Sequence, residues 1–135
     1  MRDYVEFARE HRSDPTCAVA RDRLVRYELA DRAVEAQVEQ MLNYQVIGIQ
    51  KRGLVPNHEA SIAKLFSTEL DQRIAATGLG LIGPYGQLMR DDEHAALKGR
   101  MPSMYLYATT STIGGGTSEI QRNIIAQRGL GLPRG

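Results

Sequence analysis

An all-α fold, arranged as an antiparallel up-and-down helix bundle, is what this 135-residue sequence predicts. Three observations carry that expectation. Apolar residues recur every three or four positions through most of the chain, and no run of strand-like alternation competes with them. Glycine and proline fall mainly between the periodic stretches, at Gly53, Pro56, the Gly78 to Gly86 stretch and Gly114-Gly115-Gly116. The length suits one domain spanning 1–135, long enough to bury roughly two-thirds of its unfolded surface.

Each element has its own warrant. Arg2 to His11 reads as a short helix or the tail of a longer one, with Tyr4, Phe7 and Ala8 at i, i+3, i+4 spacing. Ser13-Asp14-Pro15 is a helix-start signal, because Asp14 can cap free amides and Pro15 suits the first helical position. From there a helical pattern runs almost unbroken to Arg52, with Leu24, Tyr27, Ala30, Val34, Val38, Met41 and Tyr44 as its apolar stripe. Arg23, Asp31, Arg32, Glu35 and Glu39 are expected on the wet side. Such a helix would span about 55 Å and needs partners along its length. Gly53 and Pro56 end it.

The next helix starts near Asn57 and carries the stripe Ile62, Leu65, Phe66, Leu70, Ile74, Thr77 and Leu81. It is expected to dissolve among Gly78, Gly80, Gly83, Pro84 and Gly86. Gln87 to Gly99 is polar and reads as a loop or a short surface helix. Ser103 to Ser111 could form another short helix, weighted by Met104, Tyr105 and Tyr107. Thr117 or Ser118 then caps a last helix reaching about Arg128, with Ser118 and Gln121 at capping-box spacing.

Composition excludes several functions. Seventeen Lys and Arg against sixteen Asp and Glu give a net charge of +1, so nothing draws the chain to nucleic acid or an acidic membrane. The longest charge-free window, Met101 to Ser118, is rich in Ser, Thr and Gly and makes a poor membrane span. Arg2, Asp3, Glu6, Arg9 and Glu10 interrupt any early apolar run, so a cytoplasmic protein without a signal peptide is expected. Cys17 is the lone cysteine and reads as a small packing residue. His11, His58 and His94 match no metal-ligand spacing, and Asp91-Asp92-Glu93 lacks the glycine of a calcium loop. No metal site is expected.

One stretch is informative: Ile113-Gly114-Gly115-Gly116-Thr117-Ser118-Glu119-Ile120-Gln121-Arg122-Asn123. Three glycines before a capped helix let backbone approach a ligand and aim free N–H groups at it. An anion or diphosphate contact and an ordinary helix start with flexible glycines fit that pattern equally well.

The same stretch resembles the C-terminal signature of the acyl-CoA dehydrogenase family, from Gly115-Gly116-Thr117-Ser118-Glu119-Ile120-Gln121-Arg122-Asn123-Ile124-Ile125-Ala126 to the tail Arg128, Leu130-Gly131-Leu132-Pro133-Arg134. Glu59-Ala60-Ser61-Ile62-Ala63-Lys64-Leu65-Phe66 resembles a helix of the same domain, and Leu81, Gly83, Tyr85 and Gly86 its glycine turn. The resemblance covers most of the chain but only the family's C-terminal helical domain, with Arg2 to His11 as the end of a helix mostly missing here.

The resemblance implies a flavoprotein of fatty acid metabolism that performs α,β-dehydrogenation of acyl-CoA, with FAD as hydride acceptor and a carboxylate as base. It places Thr117, Ser118 and Glu119 beside FAD, Gly115 and Gly116 beside the acyl thioester, and Gly83 against the flavin of a neighbouring subunit. It also implies a homo-oligomer or a partner chain supplying the missing domains. Three departures stand out. Gly115 occupies the place where many members carry the catalytic Glu, Gly80 replaces the Gln opening the glycine turn, and Arg9-Glu10-His11-Arg12-Ser13-Asp14 provides no Arg-x-x-Phe-Gly flavin motif. Without a positioned base no residue takes a catalytic role. The expectation is therefore a truncated or stand-alone domain that contributes to an FAD and acyl-CoA site only when assembled and is inactive alone; the alternative is a non-catalytic structural module or partner subunit.

Overall fold

The computed structural model describes residues 2–11 and 22–134. Among them are five α-helices: α1 (Arg2–Glu10), α2 (Arg23–Lys51), α3 (His58–Ile82), α4 (Arg100–Ser111) and α5 (Ser118–Ile124), the last continuing through one wider turn, Ile125–Gly129. Short 3₁₀ turns at Gly83–Gln87 and Ala96–Gly99 bridge α3 to α4. No strand occurs among the described residues.

The long second helix begins later than its sequence pattern implies. Asp22 has extended backbone angles (φ −99°, ψ 117°), and its carboxylate accepts the Leu24 N–H at 2.8 Å. That cap defines Arg23 as the first helical residue and breaks the run expected from Pro15. The Ser13-Asp14-Pro15 signal and Cys17 lie outside the described residues. At its other end α2 closes at Arg52 and Gly53 (φ +74°), where the N–H of Leu54 reaches the Ile49 carbonyl at 3.3 Å.

Helix α3 is the hub. Helices α2, α4 and α5 all pack on it, and among the described residues the extensive contact of α2 is with α3. Its stripe is the one read from the sequence: Leu70, Ile74 and Leu81 are buried, with Met101 of α4 completing the core cluster. Phe7, Val25, Leu29, Phe66, Leu79, Ile82, Leu97 and Met104 pack around that cluster. Because Leu79, Leu81 and Ile82 gain this packing, the helix runs on through Gly78 and Gly80 to Ile82 rather than dissolving among the glycines. Gly83, at φ +70°, ends it.

Helix α2 overturns its sequence reading. Leu24, Tyr27, Ala30, Val34, Val38, Met41 and Tyr44, expected inside, are all exposed. The face turned toward α3 carries Val25, Leu29, Ala36, Leu42, Val46 and Ile49, and at its centre the residues expected to be wet, Arg32, Glu35 and Glu39, are partly buried. They form a polar seam with α3. Glu35 bridges Arg32 on its own helix at 2.8 Å and Arg73 of α3 at 3.0 Å, while the Ser67 hydroxyl donates to Glu39. The helix is apolar on two opposite faces, so periodicity alone cannot choose which one packs.

A smaller correction concerns α4. It starts at Arg100 rather than Ser103, and Met101 and Ala108 are its buried residues, while Tyr105 and Tyr107 face outward. The Asp91-Asp92-Glu93 segment is an exposed loop, with Asp92 accepting the His94 N–H at 2.8 Å. Among the described residues no helix is long and apolar enough to cross a membrane.

Candidate functional site

The glycine triplet sits on the surface, between the end of α4 and the start of α5. Gly114 and Gly115 are exposed and Gly116 is partly buried. The turn opens where the N–H groups of Ile113 and Gly114 both reach the Thr110 carbonyl at 3.0 Å. It closes where the Ser118 N–H reaches the Thr112 carbonyl at 3.1 Å. Gly115 and Gly116 both take positive φ, +68° and +100°. Positive φ calls for glycine at Gly116, and a β-carbon there would stand 2.7 Å from the Gln121 amide nitrogen and displace that side chain.

Two long polar side chains hold the turn from beneath. Lys64, on the second turn of α3, places Nζ 2.8 Å from the Gly116 carbonyl and 3.5 Å from that of Thr112. Gln121, buried on α5, donates Nε2 to the Gly115 carbonyl at 2.9 Å and more weakly to Gly116 at 3.4 Å. Gln72 of α3 adds bonds to the Ala108 carbonyl and the Thr112 hydroxyl. The carbonyls of Thr112, Gly115 and Gly116 are thus occupied by protein. Among the described residues none of these bonds engages the N–H of Gly116 or Thr117.

Thr117 is the N-cap of α5, its hydroxyl accepting the Ile120 N–H at 3.4 Å, whereas Ser118 is buried as the first helical residue. The expected capping box does not form, because Gln121 is spent on the glycine carbonyls. Glu119 keeps a carboxylate below the ordinary range: its own backbone N–H is the largest cause and the Thr117 hydroxyl the next, with a smaller pull from Arg122. A carboxylate held this way is a poor proton acceptor. Arg122 bridges Glu69 of α3 at 2.6 Å, and Arg128 reaches the Asn57 side chain at 2.8 Å, so α5 is tied to α3 at two further points.

Five of the residues singled out from the sequence, Gly115, Gly116, Thr117, Ser118 and Glu119, therefore share one surface turn. Gly83 does not join them. It lies at the far end of α3 from Lys64, roughly 28 Å away along the helix axis. One chain's Gly83 cannot sit at the same chain's turn. Lys64 and Gln121 had no site role in the sequence reading. The signal that could have raised them is a lone cation in an otherwise apolar stretch of α3, and an amide placed one turn beyond a glycine triplet.

Residues 1–130 match the family described as "Acyl-CoA dehydrogenase, C-terminal domain". The chain is 30% identical over 138 residues to the acyl-CoA dehydrogenase FadE26 of Mycobacterium tuberculosis, covering 99% of this chain and 34% of that protein. Its fold superposes on the structure titled "Tcur3481-Tcur3483 steroid ACAD" with a TM-score of 0.89 at 25% identity, covering 99% of this chain and 33% of that one. It also matches the Mycobacterium tuberculosis ChsE4-ChsE5 complex, with a TM-score of 0.78 at 32% identity over 86% of this chain and 29% of that one. The chain thus spans about a third of the length of the relatives it matches. By its sequence, its helices and the signature its surface turn carries, the chain belongs to the acyl-CoA dehydrogenase family and corresponds to that family's C-terminal domain.

Proposed function

We propose that this chain supplies one side of a composite site for FAD and acyl-CoA and is inactive by itself. The observation that carries the reading is the turn at residues 114–119, in which the Gly115 and Gly116 carbonyls are tied down while the N–H groups of Gly116 and Thr117 are not. Donors without protein acceptors, ahead of a capped helix, suit the oxygen-rich face of a flavin or a thioester carbonyl. In this reading Thr117, Ser118 and Glu119 border FAD and Gly115 and Gly116 border the acyl thioester, with Gly83 serving the flavin held by a neighbouring subunit. Bound FAD would supply the hydride acceptor for α,β-dehydrogenation. Proton removal from the α-carbon needs a carboxylate that can accept it, and this turn offers none. Gly115 has no side chain, Glu119 is held in its charged form by its own helix start, and Glu69 is paired with Arg122.

An assay of acyl-CoA-dependent dye reduction with FAD added tests this directly. The expected outcome is no turnover above the blank for the chain alone; clear turnover would contradict it.

A second reading is favoured by a separate observation, the exposed apolar stripe of α2. Val34 is 62% and Tyr27 57% accessible, and Val34, Val38 and Met41, with Gln37 and Gln45, line a shallow depression on that face. Patches of this kind mark association surfaces. A homo-oligomer, or assembly with a partner chain carrying the remaining domains, would cover it, in line with relatives that are themselves complexes. If the chain were a scaffold only, it would associate in this way and show no saturable FAD binding in either state.

A further inference from the structure

Hydrogen-bonding at the glycine turn has a consequence that follows from peptide geometry alone. In a trans peptide the C=O and the following N–H point in opposite directions across one plane. None of the described peptide bonds is cis. The Gly116 carbonyl is drawn to Lys64 Nζ at 2.8 Å, so the Thr117 N–H, which shares its peptide plane, faces away from Lys64. The Gly115 carbonyl is drawn to Gln121 Nε2 at 2.9 Å, so the Gly116 N–H faces away from Gln121. Glycine is the residue whose neighbouring peptide planes can flip most cheaply, because no β-carbon favours one side. An unsupported Gly115-Gly116 pair would sample both faces. The ammonium of Lys64 is also a charge-assisted donor, stronger than a neutral amide, and it spans two carbonyls on opposite arms of the turn.

We propose that Lys64, assisted by Gln121, is the positioning residue of this turn: by pinning the Gly116 and Thr112 carbonyls it fixes the direction of the Thr117 N–H and so the donor face offered to an oxygen acceptor of the ligand. The inference rests on the reading of the turn as ligand-facing, but its first test does not. Lys64 touches no ligand in this account and acts through the backbone.

Nuclear magnetic resonance on the full chain distinguishes positioning from bulk support. Lys64→Met keeps most of the aliphatic stem and removes the cation; Lys64→Arg keeps a cation of similar reach. In Lys64→Met the Gly116 carbonyl carbon and the Thr117 amide nitrogen should both shift. Exchange of the Ser118 N–H, which closes the turn, should rise at least about tenfold, a loosening of about 1.4 kcal/mol. Amides of Ala75 and Gly78, farther along α3, should not change. Lys64→Arg should return the turn to near wild-type behaviour. Unchanged shifts and exchange in Lys64→Met would overturn the proposal, as would a change spread evenly over α3 that arginine does not rescue. FAD titrated into the assembled protein separates the two claims. Affinity lost in Lys64→Met and restored in Lys64→Arg supports both. A loosened turn with FAD affinity unchanged would leave the positioning role standing and contradict the ligand-facing reading.

Discussion

Helices α2 and α3 lie side by side, are similar in length and carry comparable numbers of apolar residues, yet they use them in opposite ways. In α3 the stripe read from the sequence is the one that packs: Leu70, Ile74 and Leu81 are buried, Leu70 at 0%, and Ile62, Leu65, Phe66 and Thr77 are partly buried. In α2 the corresponding stripe faces outward, and charged residues sit at the centre of the packed face. The difference comes from the number of neighbours. Helix α3 is contacted by α2, α4 and α5, whereas among the described residues the extensive contact of α2 is with α3. A helix with one neighbour can bury only one side, and the side chosen here contains the ion pairs that fix its register against α3. The apolar side left over is what a larger assembly would cover.

The largest effect that sharpens this contrast is a truncation at the hub. Leu70→Ala should lower the unfolding free energy by about 2–5 kcal/mol, while Val38→Ala on the outward face of α2 should cost about 0.5 kcal/mol or less. Chemical denaturation of the two variants checks it. Equal losses would mean that the outward stripe is packed after all.

The seam comes next. Glu35→Gln should destabilise by roughly 1 kcal/mol, because it weakens contacts to both Arg32 and Arg73 in a partly buried setting. A double-mutant cycle with Arg73→Met should show coupling, and additivity would remove the seam from the account. At neighbouring Asp71, burial is the main cause raising the carboxyl above its ordinary value and the charge of Glu39 the second. The folded state therefore binds a proton that the unfolded state has already released, across the window from about pH 3.9 up to the raised value. Through that window Asp71 makes stability fall as pH rises. Asp71→Asn should flatten this slope and leave the chain modestly more stable at neutral pH, as read from thermal melts at several pH values.

How much of this was legible in the sequence depends on the kind of signal. The stripe of α3, the stop at Gly53 and the capped turn at Thr117 follow from local rules that no tertiary contact overrides. The family was legible in a dozen consecutive residues from Gly115 onward, which form the turn and the start of α5, with Ser118 and Gln121 buried and Gly115, Glu119 and Ile120 exposed. What escaped was decided at a distance. Nothing local says that α2 turns Val34 and Met41 outward, since its two faces are both apolar. The glycines at 78 and 80 break helices only when packing does not hold them, and Leu79, Leu81 and Ile82 hold them. Lys64 lies 48 and 52 positions from the two carbonyls it grips, beyond the reach of any spacing rule.

The proposed self-association of this domain would run through the outward face of α2. Sedimentation velocity of the chain over a wide concentration range, beside the double variant Val38→Lys/Met41→Lys, reads that association. The expected result is concentration-dependent association of the wild-type chain and a monomeric, equally well folded variant. A wild-type chain that stays strictly monomeric at the highest concentration, or a variant that associates just as strongly, would contradict it.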